Sequence, residues 1–175
     1  MKKIKTKFKD LFIVQAKIIK DNRGWLKEEF KKKFVKRSLI FTVVSNSKKN
    51  VLRGLHMQTR NSQDKFLSVV KGRILDVAVD LRKNSKTFGK HFKVILSEKN
   101  GKHLFVPRGF AHGILGLDKE NILHYACSNY RDPRSEVSIK WNDSDLKINW
   151  GTKKPIISKK DKNNPQFKDI FKERK

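Results

Sequence analysis

The sequence predicts an all-β fold, a barrel or sandwich of short strands. Two observations carry that reading. A succession of β-rich runs follows at the spacing such folds need, each closed by turn-forming residues. Only residues 31–37 and 158–175 read as helical or irregular. In chain order, the first run is 11–19, rich in β-branched residues and stopped by Asp21-Asn22-Arg23-Gly24. Run 24–30 leaves that turn, and 39–45 follows the lysine-rich stretch. Residues 52–58, Leu-Arg-Gly-Leu-His-Met-Gln, also read as strand. Runs 66–70 and 73–81 flank Lys71-Gly72, and runs 91–97 and 102–106 flank Lys99-Asn100-Gly101. Runs 111–117 and 122–129 come next, and Asp132-Pro133 separates them from 137–141. No repeat and no Pro-, Gly- or Ser-rich linker divides the chain, so residues 1–175 are expected to form one domain. A domain of that size buries roughly 70% of its unfolded surface. From Asn149 onward the sequence is polar and lysine-rich, which predicts a loosely packed tail.

The formal net charge is +26, and the excess is mostly lysine, 33 against 10 arginines, spread along the whole chain. Base readout and bidentate phosphate recognition favour arginine. There is also no zinc-finger spacing, aromatic RNA-binding box or helix-turn-helix pattern. A nucleic-acid partner is therefore not expected. The single cysteine, Cys127, allows no internal disulfide. No apolar run approaches the roughly 20 residues that span a bilayer. The N-terminal Met-Lys-Lys-Ile-Lys-Thr-Lys lacks the apolar core of a signal peptide. A soluble, cytoplasmic protein without a membrane partner is expected.

The chemistry begins at His56, three residues after Arg53. Histidine is the side chain that ordinarily exchanges protons near neutrality, and arginine binds carboxylates or phosphates. A second block, Val106-Pro-Arg-Gly-Phe-Ala-His112-Gly113, supplies another histidine after a tight turn, and two such strand ends suggest a shared pocket. Between them, alternation sets Val77, Val79 and Leu81 on one face of a strand and Asp76, Ala78 and Asp80 on the other. Buried acids are costly unless they are paired or line a polar cavity, so this face is expected to form a wall of the pocket. The plainer alternative is a core histidine beside a rim arginine.

The His56 to Gly72 stretch and the Pro107–His112 block resemble the two motifs of the cupin superfamily, which implies a double-stranded β-helix, or jelly roll. N-terminal strands would precede it, with a short irregular or helical segment at the C-terminus. Metal-binding cupins carry a His-x-His pair and a following glutamate. Here Gln58 takes the second histidine position and Lys65 stands where an acid is wanted, so neither a metal nor any other cofactor is expected. The resemblance sharpens to the dTDP-4-dehydrorhamnose 3,5-epimerase family. It rests on Arg23-Gly24, Glu28, Val51 to His56, Lys65, Val77 to Asp80, Thr87-Phe88-Gly89, Leu96-Ser97, Pro107 to Gly113 and Trp141-Asn142-Asp143, in order and at family spacing from about Asp21 to Asp161.

That resemblance implies inversion of carbons 3 and 5 of a nucleotide-linked 4-keto-6-deoxy sugar, whose ketone acidifies the neighbouring C–H bonds. His56 matches the base, Asp161 the carboxylate that orients it, Tyr125 the proton donor, and Lys65 a cation for the developing oxyanion. Arg23, Glu28, Arg53, Asp76, His112, Tyr130, Glu136 and Lys160 match substrate-binding positions. The arginines and Lys160 suit a diphosphate, and Tyr130 suits stacking on a base. The family also implies a homodimer with exchanged N-terminal strands, in which Arg23 and Glu28 complete the neighbour's pocket. One departure stands out: Phe41 and Val43 occupy positions where the family usually presents a Gln-x-Asn pair. A single-carbon epimerase or ketoisomerase is the alternative within the fold, and a basic, non-enzymatic binding module the alternative outside it.

Overall fold

The computed structural model describes residues 1–171, and two antiparallel sheets make up most of it. The first has the order β1 (Lys2–Lys5), β2 (Phe12–Gln15), β10 (Lys102–Val106), β7 (Lys65–Lys71), β12 (Glu120–Cys127), β5 (Phe41–Lys48). The second has the order β13 (Glu136–Ser138), β6 (Leu52–Gln58), β11 (Phe110–Gly116), β8 (Arg73–Asp80), β9 (His91–Ser97). A hairpin of β3 (Ile18–Asp21) and β4 (Gly24–Lys27) stands apart from both sheets. The architecture is a jelly roll, as the cupin resemblance implies. Among the described residues helix is confined to α1 (Lys159–Lys162), α2 (Phe167–Ile170) and two 3-10 turns.

Alternation along the strands builds three apolar layers. Leu67, Val69, Ile74, Ala78, Leu104, Ile114 and Leu123 fill the space between the sheets. Leu52, Leu55, Val77, Val79 and Leu115 face the other way from the five-stranded sheet. Ile139, Leu146, Trp150 and the partly buried Phe167 cover them. On the outer face of the six-stranded sheet, Phe12, Val14, Phe66 and Phe105 lie beneath Val35, Phe34 and Leu39. Both faces of the central strands are therefore buried. That arrangement rather than a solvated face explains why the run 73–81 is so apolar.

Several expectations change. The run 11–19 splits at Ala16-Lys17 into β2 and β3, β4 stops at Lys27 rather than 30, and β1 is a strand that composition hid. The stretch 31–37 holds only the 3-10 turn Lys32–Phe34. The tail from Asn149 is anchored at points: Trp150 is 2% exposed, and Asp161 and Asn164 are buried, while residues 151–160 between them are exposed or half-buried. The last four residues of the expected 158–175 segment lie outside the described residues. Asp80 is not part of the wall of the cavity lined by His56 and Tyr125. It is fully buried and accepts from Arg82, Ser85 and Thr87 at 2.6–2.8 Å, locking the turn after β8. Burial would raise its pKa, but those donors outweigh burial and hold it at about 2.

Candidate active site

One end of the space between the sheets opens into a cavity of about 640 Å³, within the range that holds a small organic ligand. The two sheets contribute opposite walls. From the five-stranded sheet come Arg53, His56, Gln58 and Glu136, and from the six-stranded sheet Phe41, Val43, Lys65, Tyr125 and Cys127. The segment Ile156–Asp161 closes one side.

Local sequence explains how His56 reaches this wall. Strands β6 and β11 come together at Gly54 and Gly113, where a Cβ on Gly54 would stand 2.5 Å from the Gly113 Cα. Gly54 also has φ +124°, a backbone conformation that other residues adopt only under strain. The β11–β6 register shifts between His112 and Ile114, opposite this contact. His56 follows directly, with Nε2 2.6 Å from Asp161 Oδ1. That separation is short, as charge-assisted hydrogen bonds are. Because a carboxylate only accepts, Nε2 is the donor in this bond, which leaves Nδ1 as the ring nitrogen not engaged by Asp161.

Asp161 itself is pinned. Ser158 caps α1 by accepting from the Asp161 N–H at 3.0 Å, and Asn164 Nδ2 donates to the same Oδ1 at 3.3 Å. Burial favours the protonated acid, but His56, Asn164 and Ser158 outweigh it and hold the Asp161 pKa below the usual carboxylate value. On the Nδ1 side of His56 stands Glu136, with Oε1 at 3.8 Å. Lys160 donates to that carboxylate at 2.6 Å and Arg131 at 3.3 Å. The imidazole thus lies between two carboxylates.

Across the cavity, Tyr125 projects from β12 and is register-paired with Val43 of β5 and Leu67 of β7. Burial pushes its phenol pKa up, against a smaller opposing effect from the Ser45 hydroxyl. It therefore stays protonated at neutral pH. Lys65 is paired with Cys127 in the β7–β12 register. Burial lowers the pKa of its ammonium, against the opposing pull of Cys127, Asp76 and Glu136. As an ammonium in so dry a place, Lys65 would interact strongly with a negative charge forming beside it.

The remaining expected positions divide. Arg53 and Lys160 line the cavity, Arg53 donating to Ser47 at 3.0 Å and to the Asn46 carbonyl at 3.1 Å. Tyr130 is 67% exposed and its ring meets Phe41 at 5.8 Å, beside the cavity. His112 and Asp76 are not among the lining residues. His112 is register-paired with His56, but its Nε2 sits 2.9 and 3.0 Å from the two Asp76 oxygens, so the second histidine belongs to a buried pair. Arg23 and Glu28 also stand apart from this cavity, paired with Asp21 and Lys31. Sequence reasoning missed Asn164, Arg131, Ile156 and Ile157. Only the Ser158-x-x-Asp161 spacing, which resembles a helix-capping pattern, offered a local signal near them.

Gln58, at the position of a metal-ligating histidine, is committed to backbone: it donates to the Asn61 carbonyl at 2.8 Å and accepts from the Asp132 N–H at 3.0 Å. Among the described residues no cluster of three His, Cys, Asp or Glu side chains has metal-binding geometry.

A family model described as dTDP-4-dehydrorhamnose 3,5-epimerase matches residues 5–169. The chain belongs to that family. It is an isomerase that epimerises a nucleotide-linked 4-keto sugar. Among its relatives, the dTDP-4-dehydrorhamnose 3,5-epimerase of Methanothermobacter thermautotrophicus is 40% identical over 168 residues, 91% of each chain. The crystal structure of the Elizabethkingia anophelis enzyme superposes with a TM-score of 0.90 at 42% identity, covering 97% of both chains. The Legionella pneumophila enzyme, solved in complex with dTDP-4-keto-L-rhamnose, gives a TM-score of 0.90 at 37% identity over 94% of this chain and 92% of its own.

Proposed function

We propose that the family's reaction runs here as acid–base catalysis across the cavity, on a dTDP-4-keto-6-deoxy sugar. His56 Nδ1 removes a proton from the carbon beside the ketone, and Asp161 fixes the ring and balances the imidazolium that forms. The electron pair moves into an enolate whose oxygen Lys65 stabilises. Tyr125 returns a proton to the opposite face. The ketone itself is the electron sink, so the chemistry needs no metal or nicotinamide. Arg53 and Lys160 suit the diphosphate. The single observation carrying this reading is the 2.6 Å His56–Asp161 pair in one cavity with Tyr125 and Lys65.

A homodimer with exchanged N-terminal strands fits the β3–β4 hairpin, where Ile19, Trp25 and Leu26 are each more than half exposed and call for a cover. In such a dimer Arg23 and Glu28 would complete a neighbouring pocket. A cytoplasmic location and a one-domain chain accompany the reading; no helix among the described residues is long and apolar enough to cross a membrane. Incubation with dTDP-4-keto-6-deoxyglucose in D2O tests the function. Deuterium at both carbons 3 and 5 is expected, and label at neither contradicts it. Light scattering that finds an active monomer contradicts the exchanged dimer.

A further inference from the structure

Acid–base inversion leaves an unfinished proton balance. After one inversion His56 holds a proton it did not have, and Tyr125 lacks one. A second inversion on the same bound sugar requires both to be reset. The proton on His56 cannot leave through Nε2, whose N–H is held by Asp161 at 2.6 Å. It must leave from Nδ1.

The acid facing Nδ1 is Glu136, at 3.8 Å, a gap that one small side-chain rotation or a bridging water closes. The Glu136 side chain is 8% exposed, whereas Lys160 and Arg131, which hold its two oxygens, are 56% and 65% exposed and reach solvent. Burial would raise the Glu136 pKa, but Lys160, His56 and Arg131 outweigh it and keep the group ionised, so it can hold the proton only in passing before water takes it. A residue kept only for gripping a nucleotide diphosphate would not be an anion. We infer that Glu136 is the proton exit of His56, taking the abstracted proton from Nδ1 and passing it to water beside Lys160 and Arg131 between the two inversions.

This rests on the acid–base reading proposed above, and the atoms balance. The substrate C–H bond breaks, leaving its electron pair in the enolate, and Nδ1–H forms. That N–H then breaks as an O–H forms on Glu136 Oε1, and the proton goes on to water. The Tyr125 O–H breaks as the new C–H forms, and the phenolate regains a proton from water. Glu136 acts through His56, and because it also faces Nδ1 its loss should slow the first proton transfer, but far less than the second.

The test is Glu136→Gln with dTDP-4-keto-6-deoxyglucose in D2O, followed by NMR in single-turnover and steady-state modes. Entry of the second deuterium and steady-state turnover are expected to fall at least tenfold further than entry of the first. Turnover of the variant should also rise with imidazole concentration at fixed pH and ionic strength, with the wild type flat. Glu136→Asp, which keeps the carboxylate but draws it back, should fall between the two and serves if the amide variant folds poorly. A variant that raises KM alone, slows both carbons equally, or ignores the added buffer overturns the proposal and makes Glu136 a binding residue. A wild type that labels neither carbon instead sinks the underlying acid–base reading, so the two failures are distinct.

Discussion

Asp161→Asn is the sharpest probe of how the base is built. The substitution keeps the shape but removes the charge 2.6 Å from His56 Nε2. Asn164 Nδ2, 3.3 Å from the same oxygen, then competes for the amide carbonyl. Hydrogen bonds to charged groups contribute about 1.5–3 kcal/mol. If that stabilisation is felt chiefly when the imidazolium forms, kcat should fall roughly 10- to 150-fold. Asp161 stands behind the ring with its side chain only 6% exposed, so KM should move little. The pH behaviour follows from its depressed pKa. The pair's contribution to stability is present above the ordinary value of 3.8 and is lost as pH falls through the lowered one, so the wild type should lose more stability than the variant below pH 4. Stopped-time NMR of the keto sugar at several concentrations, with thermal melts from pH 3 to 7, measures both. A folded variant whose kcat stays within threefold of wild type, or whose whole loss lies in KM, refutes the reasoning.

Three further expectations follow from other sites. His103 is fully buried with Nδ1 3.6 Å from Glu29 Oε2, and burial lowers its pKa to about 4 against the pull of Glu29. Its folded value lies below the unfolded one, so stability should drop as pH falls from about 6.5 to about 4, on the order of 3 kcal/mol; His103→Phe should flatten that part of the melting profile, and an unchanged slope contradicts it. Phe41 and Val43 both line the cavity, so Phe41→Gln with Val43→Asn should tighten dTDP-sugar binding, each new buried hydrogen bond contributing about 0.5–1.5 kcal/mol. Calorimetry that finds equal affinity in the two proteins removes the pair from selectivity. Activity should survive exhaustive chelation, and stoichiometric metal whose removal abolishes turnover would overturn the metal-free mechanism.

Most strands were legible because alternation and Gly- or Asn-centred turns mark them directly, as at Lys71-Gly72 and Lys99-Asn100-Gly101. β1 was not, because Lys-Lys-Ile-Lys on an exposed edge carries no buried face to read. The acidic alternation of β8 reads differently once folded: both faces of that strand are buried, Asp76 pairs with His112, and Asp80 holds a turn. The tail looked loose because polarity along the chain says nothing about Trp150 docking onto the five-stranded sheet. Within the site, His56 stood out locally. Asp161, 105 residues away in a run of lysines, had no local signature beyond a helix-capping spacing, and its role was reached only through family register. Asn164 and Arg131 become visible only once the chain is folded, since their part depends on contacts between distant segments.

The central claim is that His56 takes the substrate protons, and deuterium entry catalysed by His56→Ala tests it most directly. With dTDP-4-keto-6-deoxyglucose in D2O, the wild-type protein should label carbons 3 and 5. The folded variant should lose label at both together by roughly 10²–10⁴-fold, the usual contribution of a general base. Exchange at either carbon within tenfold of the wild-type rate would mean that another group takes the proton, and the account would be wrong.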